Sequence, residues 1–328
     1  MKTLLLAGAA ALTLATAGGP ALAQSGPLVI YTSTPTEQMD QLVAAFNESH
    51  PEIAVDYFRS GTTEVINRLQ AEFAAGDPQP DVLLIADSVV MTALKQEDRL
   101  QAYPEAPVEG LDPSLYDAEM TWFGTKLITT GILYNTEIVT SPPSGWADLL
   151  APEAAAATTM PSPLYSGAAA IHVGTLVAQP ELGWDYYETL ADNGAVAGRG
   201  NGGVLDAVAR GEKAYGIIVD FMPLNAKAAG SPVDFVFPAE GSTAVTEPVA
   251  ILATARNPEA ARAFVDWQLS EAGQRFAAVQ GYLPLRSEVA PPATFPEIGA
   301  LQLLSADPAG LLADDEAMKR RFADLFGG

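Results

Sequence analysis

Between residues 28 and 95, short apolar runs alternate three times with amphipathic stretches, and this rhythm restricts the fold more than any other feature of the chain. Residues 28–31 read as a strand. Thr34, Pro35, Thr36 and Glu37 then have the pattern of a capping box with proline at the first helical position. Met39, Leu42, Val43 and Phe46 follow at helical spacing, and His50-Pro51 stops the helix. A second strand spans 53–58, and Ser60, Gly61, Thr62 and Thr63 open a helix through residue 73. A third strand covers 82–85, with Asp87 and Ser88 at the start of a helix over 89–95. Such an order predicts a mainly parallel, twisted sheet flanked by helices.

An extended, β-rich run at 122–134 separates this region from a second α/β region that begins after Pro142-Pro143. There, Ser166-Gly167 leads a small-residue helix through 177. Trp184, Tyr187 and Leu190 share one face of a helix over 184–190, and Asn201, Gly202 and Gly203 open a helix over 204–210 that Gly211 closes. Residues 214–219 form a buried strand that Asp220 ends, where the chain hands over to a helix beginning at Phe221. Gly230 ends that helix, a strand covers 233–238, and Glu247-Pro248 leads into another at 249–253. Ligands of open α/β sheets bind where strand ends meet helix starts, so this segment is expected to wall a cleft. Neither internal repeats nor long low-complexity linkers interrupt the pattern.

The first 23 residues read as an export signal: Lys2 in the positive region, an apolar run over 4–17, and Ala21-Leu22-Ala23 as the cleavage site. That run is too short for a membrane span. The chain has no cysteine, which excludes disulfides, thiol catalysis and a lipid-bearing cysteine. A freely diffusing periplasmic protein, monomeric, is the expectation. A formal net charge of −23 repels nucleic acid and anionic lipid.

Five segments together resemble the periplasmic solute-binding proteins of ABC importers: 28–35 (LVIYTSTP), 80–88 (PDVLLIADS), 131–135 (GILYN), 257–274 (NPEAARAFVDWQLSEAGQ) and 281–289 (GYLPLRSEV). Within that group the chain resembles the branch of ferric-ion, hexose-phosphate and aminoethylphosphonate binders. The resemblance implies a type II α/β fold of two lobes joined by two crossover strands. It places 24–128 in the first lobe and 129–248 in the second, with 249–328 returning to the first and its helices packing across both. It also implies a small-molecule ligand, a membrane permease as partner and no cofactor. Ferric-ion members hold iron with a histidine, a glutamate and two adjacent tyrosines. The matching positions here are Pro35, Asp87 and Asp220-Phe221, so the iron reading is demoted, although Asp87 and Asp220 could offer oxygen to a hard cation. Tyr186-Tyr187 lies inside a helix, with Tyr187 on its apolar stripe, and does not replace the missing pair.

What remains resembles a cleft for an organophosphate or phosphonate. Helix starts at Ser33/Thr34, at Ser60 to Thr63, at Ser166-Gly167 and at Asn201-Gly202 carry small polar or glycine residues, and free N–H groups there bind phosphate without lysine. Taken singly, each is equally an ordinary cap. Asp220 and Glu247 are read either as a cap and a rim charge or as acceptors for an ammonium or hydroxyl at the far end of the ligand, and Asp87 as cap or ligand. Arg199 is a candidate anion clamp, for which a single arginine in a glycine-rich loop is weak evidence. Tyr103, Tyr165 and Phe221 are candidates for the cleft wall or the core. His50 and His172 have no partner at metal-ligand spacing, so no metal site is expected. A polyamine binder is a third reading, which the acidic surface suits and the serine- and glycine-rich helix starts oppose. A hydrolase is remote: G-x-S-x-G, H-E-x-x-H and the phosphate-binding P-loop are all absent from the sequence.

Overall fold

A computed structural model describes residues 27–296 and 301–327. The expected signal at 1–23 lies outside them. In chain order the first region comprises β1 (Leu28–Thr32), α1 (Thr36–Ser49), β2 (Val55–Arg59), α2 (Thr62–Ala75), β3 (Val82–Leu84) and α3 (Ser88–Gln96). The long strand β4 (Phe123–Asn135) follows, then α4 (Pro152–Ala156), β5 (Thr158–Pro161), α5 (Gly167–Val177), α6 (Gly183–Asp192), β6 (Val196–Gly198) and α7 (Asn201–Ala209). The chain continues through β7 (Tyr215–Val219), α8 (Phe221–Ala228), β8 (Val233–Val236) and β9 (Ser242–Ile251). It ends with α9 (Pro258–Leu269), α10 (Glu271–Val279), β10 (Leu303–Leu304) and α11 (Pro308–Phe326).

The strands join in one sheet, ordered β2-β1-β3-β9-β4-β7-β5-β6, with β8 added to β4 and β10 to β9. Pairing is parallel within β2-β1-β3 and within β7-β5-β6. At the centre it is antiparallel: β9 runs against both β3 and β4, and β4 against β7 and β8. Two α/β halves therefore meet at β4 and β9. Strand β4 pairs with β9 from Phe123 to Thr130 and with β7 from Thr130 to Tyr134, so one strand serves both halves.

Each half has its own core. In the first, Met39, Leu42 and Phe46 form the buried face of α1, as their spacing predicts. Phe46 meets Phe264 and Trp267 of α9 edge-on, at centroid distances of 5.3 and 5.9 Å. Thus α9 returns to the first half. In the second, Trp146, Tyr186, Tyr187 and Leu190 are buried together with Met318 and Phe322 of α11. Phe322 lies 5.9 Å from Tyr187, and α11 also packs against α3. Tyr186 and Tyr187 are core residues, and burial raises both phenol pKa values.

Gly131 shows how tightly β4 is held between its neighbours. A Cβ there would stand 2.5 Å from the Val236 carbonyl oxygen and 2.6 Å from the Phe235 ring. Gly131→Ala is expected to destabilise the protein by about 1–3 kcal/mol, the usual cost of overpacking. Urea unfolding of the two proteins measures it.

Candidate functional site

A cavity of about 520 Å³ lies between the halves, walled by segments from both. The loop after β1 contributes Ser33, Pro35 and Thr36, and the loop after β2 contributes Ser60, Gly61 and Thr62. From the other side come Tyr165 and Ser166 before α5, residues 199–203 around the start of α7, and Phe221 and Met222 at the start of α8. Glu247 of β9 and Tyr282 close the back. Parallel strands make this arrangement, since each releases the chain at the same edge of the sheet before a helix begins.

Several of these helix starts are unclosed. Pro35, Gly61 and Gly200 occupy the N-cap positions of α1, α2 and α7, and none provides a side-chain cap. The first N–H groups of a helix have no partner within it, so these three ends present donors and partial positive charge, with the Glu64 carboxylate lying over Gly61 at the start of α2. Ser166 does cap α5, its Oγ accepting from Ala169 N at 3.3 Å. The Asn201 side-chain oxygen accepts from Val219 N at 3.3 Å, tying α7 to β7.

The charged groups of the cavity are mixed. Arg59 donates from Nε to the Thr34 carbonyl at 3.3 Å. Arg199, from the second half, forms an ion pair with Glu64 of α2 in the first and lies 4.8 Å from the centre of the Tyr165 ring. At the back, Glu247 is 2 % exposed; it accepts from the Thr34 hydroxyl at 2.9 Å and forms an ion pair with the equally buried Lys126 of β4. Lys126 lies 4.3 Å over the Tyr282 ring, and Tyr282 packs at a tilt against Phe221, with centroids 4.4 Å apart.

Among the residues singled out from sequence, Ser33, Ser60, Gly61, Thr62, Ser166, Asn201, Phe221 and Glu247 line the cavity, as do Tyr165 and Arg199. Thr63 is not among the lining residues. Thr34 neither caps α1 nor reaches the cavity, because Pro35 takes the cap position and the Thr34 hydroxyl turns to Glu247. Asp87 caps α3, accepting from Val90 N at 3.0 Å, and faces a different cavity beside α5 and α11; burial lifts its pKa to about 6. Gly167 packs directly on Asp87 and the Ala86 carbonyl. Asp220 lies behind the wall: its carboxylate accepts from Thr129 N at 2.8 Å, Thr129 Oγ1 at 2.6 Å and Phe221 N at 2.7 Å. Tyr103 belongs to the first core and donates to Asp266. His172 is buried against Thr243, at 2.8 Å, and His50 stacks on Phe46. Among the described residues no group of three or more histidine or acidic side chains is placed to hold a metal ion. Sequence reasoning missed Arg59, Glu64, Lys126 and Tyr282. A lysine inside the otherwise uncharged run of β4 was the available signal for Lys126.

This architecture, two α/β halves around a polar cavity crossed by two shared strands, is that of a type II periplasmic binding protein. The chain belongs to the bacterial extracellular solute-binding protein family, whose model matches residues 32–275. The structure is similar to that of the periplasmic binding protein AfuA from Actinobacillus pleuropneumoniae with exogenous fructose-6-phosphate bound. The TM-score is 0.83 at 22% identity, covering 92% of this chain and 99% of that one. It is also similar to iron-bound HitA from Pseudomonas aeruginosa, with a TM-score of 0.78 at 20% identity over 90% and 99% of the two chains. An uncharacterized protein of Haemophilus influenzae is 26% identical over 269 residues, 78% of this chain and 76% of its own. The family and these structural neighbours are binding proteins rather than enzymes.

Burial outweighs the three donated hydrogen bonds at Asp220 and raises its pKa from 3.8 to about 7. Between those values the folded protein holds a proton that the unfolded chain has released. Its contribution to stability is therefore full below pH 3.8 and is lost as pH rises through about 7. The stability of wild type relative to Asp220→Asn is expected to fall by up to a few kcal/mol, on the order of 1.4 per pH unit, between pH 4 and pH 8. Chemical denaturation across that range measures it.

Proposed function

We propose that this protein is the solute-binding component of an ABC importer and captures a small organic anion bearing a phosphate or phosphonate group. The supporting observation is that the starts of α1, α2 and α7 reach one cavity without a side-chain cap hydrogen bond, Glu64 lying over the start of α2 without making one. Free N–H groups at helix starts hold phosphate oxygens without a dedicated lysine. Each end contributes roughly 0.3–1 kcal/mol when exposed and up to ~2 when partly buried. Ser33, Ser60, Gly61, Thr62, Ser166 and Asn201 serve the anionic end. Glu247 and the face of Phe221 serve the rest of the solute, with Asp220 fixing the wall from behind. That AfuA was determined with fructose-6-phosphate agrees with this reading. Iron has less support, because Asp87 faces another cavity and Asp220 is engaged by Thr129 and Phe221. Arg59 and Arg199 in the cavity oppose a polyamine.

In this proposal the lobes comprise 24–128 with 249–328 and 129–248, and they close by bending β4 and β9. Solute binds the closed form more tightly and so makes it predominate. Export under the signal at 1–23 delivers a monomer to the periplasm, where the closed form docks on a membrane permease.

The test is a thermal-shift screen of the mature protein against glucose 6-phosphate, 2-aminoethylphosphonate, inorganic phosphate, spermidine and Fe(III). Saturation at about 100 times Kd adds about 2.7 kcal/mol. Phosphorylated solutes are expected to raise Tm; a shift with Fe(III) or spermidine alone would overturn the proposal. Gly202→Asp supplies a second check. Open space surrounds the position, so the fold should persist, while the new carboxylate competes for the N–H groups of α7. Affinity for the phosphorylated solute is expected to drop about tenfold or more by titration calorimetry.

A further inference from the structure

The ladder between β4 and β9 is irregular at one place. Gly124 pairs with Pro248 and Leu127 with Thr246, so β4 carries one extra residue opposite Glu247. Such a bulge re-aims a side chain and is common beside binding sites. Here the bulge includes Thr125 and Lys126. Thr125 Oγ1 donates to the Glu247 carbonyl at 2.6 Å, and the Thr125 carbonyl accepts from Gln274 Nε2 at 2.6 Å, which fixes the distortion on both sides. Lys126 then reaches the Glu247 carboxylate with its ammonium, both side chains nearly inaccessible at 2 % and 3 % exposure. The face of the Tyr282 ring, 4.3 Å away, covers the same ammonium. Lys126 is absent from the cavity wall, whereas Glu247 and Tyr282 are part of it.

We infer that Lys126 is a positioning residue: held by the bulge in β4, it fixes the Glu247 carboxylate at the cavity wall with a counter-charge, and thereby selects solutes that carry a hydrogen-bond donor opposite their anionic group. A carboxylate buried without a counter-charge takes up a proton, and its oxygen then donates where it should accept. With Lys126 on one oxygen and the Thr34 hydroxyl on the other, the Glu247 carboxylate is held in one orientation and retains lone pairs for a hydroxyl or ammonium. The anionic end is held by helix starts, which do not distinguish one phosphorylated solute from another. Discrimination falls to the Glu247 side, and so to Lys126. The inference rests on the proposed phosphate-bearing solute only for the choice of probes.

The experiment compares wild type, Lys126→Met, Lys126→Arg and the double variant Lys126→Met/Glu247→Gln. The protonated carboxyl stretch of Glu247 is read by infrared difference spectroscopy with isotope-labelled glutamate. Near neutral pH the band is expected in Lys126→Met, and absent from wild type and Lys126→Arg. Titration calorimetry is expected to show affinity for glucose 6-phosphate and 2-aminoethylphosphonate falling about tenfold or more in Lys126→Met, with inorganic phosphate unaffected and Lys126→Arg restoring discrimination. Should none of the three bind wild type, the phosphate reading fails and the carboxyl band alone decides this inference. Should Lys126→Met not fold, the double variant carries the test, because replacing a buried pair entirely is often neutral. It should lose discrimination that Lys126→Arg keeps. An ionised Glu247 in Lys126→Met, or undiminished discrimination in the double variant, would overturn the assignment.

Discussion

The antiparallel pairing of β4 with β9 is the contact on which the rest of the molecule depends. The strand order places β2, β1 and β3 on one side of this ladder and β7, β5 and β6 on the other, and without it the two parallel sets would be separate sheets. Its surroundings reinforce it: Leu127 N donates to the Leu283 carbonyl at 2.9 Å, and Gln274 bridges the Thr125 and Gln268 carbonyls. Gly124 permits the close approach, since a Cβ there would lie 2.7 Å from the Leu115 carbonyl oxygen and 2.9 Å from Thr246. In the proposed closure the two cores turn about this pair of strands.

Much of this arrangement was legible in the sequence because local signals and tertiary structure agree. The alternation over 28–95 gave three strands and three helices within two or three residues of their observed limits. Strands β5 and β6 went unread. They are only four and three residues long, and their Pro161 and Gly198 resemble loop residues. The first part of β9 was also missed, since Ser242, Thr243 and Thr246 interrupt any apolar run. At the cavity, glycine and serine at helix starts carried the signal. The roles of Thr34, Asp220 and Lys126 did not show, because their partners Glu247 and Thr129 lie far away in the chain. A cap residue and a tertiary hydrogen-bond acceptor have the same local appearance.

Electrostatics act on two length scales here. The chain as a whole carries −23, a field unfavourable to any approaching anion. Within the cavity, Arg59 and Arg199 balance Glu64 and Glu247, and the uncapped helix ends add local positive potential. Salt screens the first effect beyond about 10 Å and hardly touches the second. An acidic surface and the proposed anion-accepting cavity are thus compatible, because main-chain dipoles operate at contact distance.

Gly167 sets how near the two halves come beside the cavity. It begins α5 in the second half and meets the Ala86 carbonyl and Asp87 of the first, where a Cβ would come within 2.8 Å of the main-chain oxygen. The glycine rests there on the Ala86 carbonyl and on the Asp87 side chain. Under the proposed closure that contact is a stop: a small solute would not draw the halves nearer there, and a bulky one would have to hold them apart.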